Sequence, residues 1–189
     1  MWDQLKVDDN NFGWLVSALT NGMAVAVTDG SYNSDMSPNI SGAGWIIYCF
    51  RTGKQVMGNF YKVSTSANSY PGELLGLLAL HVFLWNVEQH YSLASSPTQN
   101  WCYNLDALKA TKCPRKCVAT GTKQADVFCS LHALHRRHKT THQYFQVLTH
   151  QDDLLSWECL SLQAQLNCIC NAQAKAAIRR GAMAPPCTS

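Results

Sequence analysis

Asp29 stands where the apolar run 23–27 ends, followed at once by Gly30 and Ser31. A carboxylate at the mouth of a buried strand suits a hard cation, and glycine beside it leaves room for a phosphate or a metal. Glu73 follows Pro71-Gly72 at the start of a helical pattern, and His150-Gln-Asp-Asp153 lies in a late loop. Each acid also has an ordinary role: Asp before Gly-Ser is a common turn residue, and a first-turn Glu offsets the helix dipole.

Two further constellations carry chemistry. Cys113 and Cys117, with His132, His135 and His138, have the residue types of a two-Cys, two-His zinc site. Against that reading, the histidines advance by threes along one helix, and Lys112, Arg115 and Lys116 make the cysteine loop cationic. Lys109, Lys112, Arg115, Lys116, Arg136 and Arg137, near Trp101 and Tyr103, could instead track a phosphate backbone.

The elements that must position these residues follow from composition and period. The chain has 189 residues, of which 47% are hydrophobic and 14% charged, enough to bury the core of one domain. A formal charge of +3 is compatible with a polyanion partner but does not require one. The apolar stretch 74–85 is too short to span a bilayer, which argues against a membrane protein. Acids at Asp3, Asp8 and Asp9 break the pattern of a secretory signal, and nine cysteines is an odd number for a disulfide framework. An intracellular protein with reduced thiols is expected.

Alternation predicts strands over 25–29, 42–50 and 55–63, an antiparallel meander. From Glu73 the spacing of Leu74, Leu77, Leu78, His81, Val82 and Trp85 predicts a helix. A fourth strand is expected over 100–104, a short helix through Leu105 and Leu108, a helix over 125–138, a fifth strand over 143–148 and a last helix over 160–179. Residues 1–21 read as an N-terminal extension carrying a short helix, 22–180 as the domain, and 181–189 as a tail. The fold class is α/β, a five-stranded mixed sheet flanked by helices.

With the stretches Thr28-Asp-Gly-Ser31, Gly42-Ala-Gly-Trp45, Tyr70-Pro-Gly-Glu-Leu-Leu-Gly-Leu-Leu-Ala79, Ala125-Asp126, His150-Gln-Asp152, and Ala164-Gln-Leu-Asn-Cys168 with Ala174-Lys175, this order resembles the ribonuclease H family. The similarity is to the retroelement type and covers residues 22–180. It implies a hydrolase that cuts RNA in RNA–DNA hybrids, with four carboxylates holding two Mg²⁺ or Mn²⁺ ions. By position, Asp29 would be the first-strand acid, Glu73 the first-helix acid and His150 the mobile histidine. It also implies a nucleic-acid partner, gripped by the basic segment, and a place within a longer reverse-transcriptase polyprotein.

The chain departs from that pattern twice. Aligning Asn104 and Ala107-Leu108 puts Tyr103 at the third acid position, where a neutral phenol is a poor Mg²⁺ ligand. Asp106 lies one turn further on and is the candidate replacement ligand. Asn171 stands at the fourth acid position, keeping an oxygen but losing the charge. Three functions are weighed: a nucleic-acid-binding domain with catalysis lost or reduced, an active two-metal ribonuclease H, and a protein-interaction scaffold. The cues for the scaffold are the aromatics Trp2, Phe12, Trp14 and Trp157.

Overall fold

Short strand-forming runs, the central two almost continuously buried, pair into a single six-stranded sheet, in a computed structural model that describes residues 4–65, 67–93, 97–102, 107–109, 124–148 and 151–184. The strands are β1 (Gln4–Val7), β2 (Ala24–Tyr32), β3 (Ile40–Cys49), β4 (Gln55–Val63), β5 (Pro97–Cys102) and β6 (Thr141–Gln146). Their spatial order is β1-β4-β3-β2-β5-β6. The expected meander is present: β2 pairs antiparallel with β3, and β3 with β4. β5 and β6 are parallel to β2, each reached through a helical crossover.

Five strands were expected, and the sixth is β1, which adds antiparallel to the β4 edge. Its outward residues are exposed and only Leu5 and Val7 alternate, so the segment has almost no strand signal of its own. Pairing with the edge of β4 creates it. β1 thus joins the same sheet, and the helix α1 (Gly13–Thr20) that follows it packs Leu15, Ala18 and Leu19 into the core.

Helices cover both faces. On one side lie α1, α2 (Ser69–Tyr91) and α3 (Ala125–Arg137), packed on Ala24, Ala26, Trp45 and Ile47. On the other, α4 (Leu162–Met183) packs Leu166 and Cys170 on Val25, Val27 and Ile46. Successive side chains of a strand alternate faces, so each strand feeds both layers. Phe12 and Trp14 pack against the core, which accounts for two of the scaffold aromatics; Trp157 is exposed, and Trp2 lies outside the described residues.

α2 starts four residues before Glu73. The Asn68 side chain accepts from Tyr70 N at 3.0 Å and caps the helix, and Pro71 fits its first turn because its missing N–H would have no partner there. Glu73 is therefore in the second turn and not at the dipole end. Similarly, Asp29-Gly30-Ser31 is not a turn: β2 continues through it to Tyr32.

Candidate functional site

Asp29 and Glu73 meet in a buried position, 4% and 2% exposed. Gly30 brings them together. A Cβ on it would sit 2.3 Å from Glu73 N and 2.7 Å from Gly72 C, so only glycine admits the start of α2 this close. The space expected beside Asp29 for a phosphate or metal is thus occupied on that side by helix backbone. On the opposite face Gly42 and Gly44 serve α4 likewise: their added Cβ atoms would lie 2.2 Å from Ala174 O and 2.3 Å from Cys170 O.

Asp29 Oδ1 accepts from Gly30 N at 2.9 Å, and Asp29 Oδ2 faces Asn167 Nδ2 at 3.5 Å. Glu73 Oε2 accepts from the Cys102 thiol at 3.5 Å, and its carboxyl also hydrogen-bonds Asp29. Burial, then the charge of Asp29, pushes the Glu73 carboxyl well above the ordinary carboxylate range. Cys170 donates to Val27 O at 3.3 Å, and burial followed by the nearby Asp29 holds its thiol protonated. Asp152, exposed on the 3₁₀ turn Gln151–Asp153, hydrogen-bonds Cys168 at the edge of the site.

This donor set fits a hard cation. Two carboxylates converge, and Asn167 Oδ1 is buried without a hydrogen-bond partner. Such an oxygen is costly to leave unsatisfied and is a natural ligand for Mg²⁺ or Mn²⁺. Asn171, expected at the fourth acid position, is half-buried one turn beyond Asn167. Among the described contacts it is Asn167 that reaches Asp29. In the sequence Asn167 opens the last-helix motif 167–175, four residues ahead of Asn171, without a ligand role assigned to it.

Tyr103, Asp106, His150, Lys112, Arg115 and Lys116 lie outside the described residues. Lys109, Arg136 and Arg137 are exposed, the two arginines in the last turn of α3. Sequence reading missed a second cationic feature. A groove beyond the Asp29 end of β2 is lined by Ser31, Tyr32, Lys175 and Arg179, with both cations exposed. Among the described residues, no helix is long and apolar enough to cross a membrane.

No family model and no curated protein sequence matches this chain. Solved structures do. The N-terminal RNase H domain of a Mycobacterium tuberculosis protein aligns with a TM-score of 0.58 at 12% identity, over 85% of this chain and 95% of that one. LC11-RNase H1, solved in complex with an RNA/DNA hybrid, aligns at 0.55 and 12% identity, over 84% and 98%. The prototype foamy virus protease–reverse transcriptase aligns at 0.61 and 13% identity, over 85% of this chain but 21% of its own. At these identities the likeness establishes the fold, which is ribonuclease H-like.

Proposed function

We propose that this domain binds nucleic-acid duplexes, RNA–DNA hybrids foremost, and that its phosphodiester hydrolysis is lost or reduced. The observation that carries the reading is the buried Asp29–Glu73 pair, set beside an amide at Asn167 where a third carboxylate would add charge. A retroelement origin, within a longer polyprotein, is consistent with the like domain inside the foamy virus enzyme.

Asp29, Glu73 and Asn167 Oδ1 would hold Mg²⁺ or Mn²⁺, which when bound would activate water and neutralise charge at the phosphate. Glu73 must give up its proton before both carboxylates can act as ligands. Asn167 and Asn171 contribute oxygens without charge, which weakens cation binding and the neutralisation of developing charge. Tyr103 at the third acid position would weaken it again, unless Asp106 replaces it.

Lys175 and Arg179 flank the strand end that carries Asp29, and Lys109, Arg136 and Arg137 add exposed cations. Lys112, Arg115 and Lys116, outside the described residues, are further cations of the basic segment expected to grip the backbone. Contacts of this kind read backbone shape and 2′-hydroxyls rather than base sequence. The hybrid in the LC11-RNase H1 complex supports this substrate class.

The alternative is an active two-metal nuclease. It is favoured by the unpartnered Asn167 Oδ1, which a bound cation would satisfy, and by the Glu73 carboxyl, whose raised pKa a cation between the two acids would lower. The deciding experiment is binding and cleavage of a labelled RNA–DNA hybrid in Mg²⁺ and in Mn²⁺, with Asp29→Asn as control. Binding without cutting supports the proposal. Cutting that Asp29→Asn abolishes establishes the alternative, and absence of binding removes both.

A further inference from the structure

Three histidines converge where two helices meet the sheet, His138 and His142 being four residues apart and His81 far from both in sequence. His81 lies in the middle of α2, His138 caps the C-terminus of α3 and His142 is in β6. One ring nitrogen from each lies within 4.8 Å of the other two. The rings of His81 and His142 are 4.6 Å apart, as are those of His138 and His142.

Their unpartnered atoms are as informative as their proximity. His81 Nδ1, His138 Nε2 and His142 Nε2 are all buried with no hydrogen-bond partner, while the opposite nitrogen of every ring is engaged. His138 Nδ1 lies 3.0 Å from Glu88 Oε1, His81 Nε2 lies 2.8 Å from the Tyr144 hydroxyl, and His142 Nδ1 lies 3.2 Å from Asn100 Nδ2. A carboxylate only accepts, so Glu88 fixes the proton of His138 on Nδ1. A neutral His138 then points a bare Nε2 lone pair inward. Tyr144 can accept from His81 Nε2 while donating to His135 Nε2 at 2.6 Å, which leaves His81 Nδ1 bare as well. At His142, turning the Asn100 amide over would bring its own orphaned Oδ1 to Nδ1. Its cost is the bond from Asn100 Nδ2 to Thr98 O. Lone pairs converging in a buried space repel one another unless a cation lies between them.

We propose that His81, His138 and His142 form a buried site for a transition-metal dication, of the zinc class, that ties α2, α3 and β6 together. Neutral imidazoles suit zinc, whereas Mg²⁺ demands oxygen. Glu88 on His138 supplies the carboxylate–histidine–metal arrangement that orients a ligand and offsets the ion's charge. Glu88 is itself held in place, accepting from Lys139 N and Thr140 N at 3.2 Å each. Zinc–nitrogen bonds of about 2.1 Å need the three atoms drawn closer by small side-chain rotations, with a water completing the tetrahedron. The site is independent of the carboxylate pair: His81 is eight residues beyond Glu73 on α2, about 12 Å along the helix. It also differs from the cysteine–histidine set considered from the sequence, sharing only His138.

The test is metal titration of chelator-stripped protein with Zn²⁺ and with Co²⁺, in excess Mg²⁺. Co²⁺ reports tetrahedral nitrogen ligation through its visible absorption. One Zn²⁺ per chain, a zinc-dependent rise in Tm and an intense Co²⁺ band are expected. His138→Asn and His142→Asn should abolish the band. Glu88→Gln, which keeps the shape, should weaken zinc binding about 10–100-fold. Wild-type protein that takes up no Zn²⁺, or histidine variants that bind it as the wild type does, would overturn the proposal. If the histidine variants do not fold, unchanged affinity in Glu88→Gln overturns it equally.

Discussion

Gly30 packs directly against the backbone of Glu73, and that contact sets the second acid of the site beside the first. A Cβ there would meet Glu73 N at 2.3 Å and Ser69 O at 2.9 Å, neither of which is a flexible side-chain end. Gly30→Ala should therefore destabilise the fold by about 2–3 kcal/mol, an overpacking penalty taken by backbone. Urea denaturation measures it. A loss under about 0.5 kcal/mol, the level of a neutral surface change, would mean that α2 can retreat freely.

The Asp29–Glu73 pair makes stability depend on pH. The folded state raises the Glu73 pKa above its unfolded value of 4.5, so the folded state holds that proton more tightly. Stability from this group is complete below that value and is lost as pH rises through the folded pKa. In chelator, Glu73→Gln should be more stable than wild type at neutral pH, with the difference vanishing in acid. Melting curves across pH check it; a variant less stable at neutral pH would place the proton elsewhere.

Adding charge to the last helix should separate its two asparagines. Asn167→Asp puts a third carboxylate against Asp29, so it should tighten Mg²⁺ binding while lowering stability in chelator, through like-charge repulsion. Asn171→Asp, alone and with Tyr103→Asp, is the parallel set. Calorimetric Mg²⁺ titration decides: a gain confined to the Asn171 variants would show that cation binding centres one turn further along α4.

Cations at the two surfaces should differ in what they grip. Lys175→Gln with Arg179→Gln removes charge beside the Asp29 strand end, and Arg136→Gln with Arg137→Gln removes it from the end of α3. Each lost phosphate contact should lower the salt slope of hybrid binding by about 1. A double variant with an unchanged slope would exclude its surface from the footprint.

Glu88 is buried and accepts from His138, Lys139 N and Thr140 N. Glu88→Ala leaves those donors unsatisfied and should cost about 1–3 kcal/mol or more, the penalty of orphaning buried donors, measured by chemical denaturation without metal. A cost below about 1 kcal/mol would mean that water replaces the carboxylate.

The sequence by itself determined the layered α/β architecture and the two acids. The short apolar runs at 25–29 and 42–50, read as strands, and the helical spacing after Glu73 are local properties, dictated by which side chains can be buried. Asp29 and Glu73 stood out because each adjoins a glycine-bearing junction between elements. What Gly30 makes room for was decided only by the tertiary structure, because that depends on where α2 lands. β1 likewise exists through its partner edge, not through its own four residues. Asn167 rather than Asn171 reaches Asp29 because the rotation of α4 about its axis is fixed by close approach at Gly42 and Gly44, far away in sequence. The histidine cluster shows the same limit. The spacing of His138 and His142 is visible in the chain, but His81 joins them only because α2, α3 and β6 pack on one another, which no local period encodes.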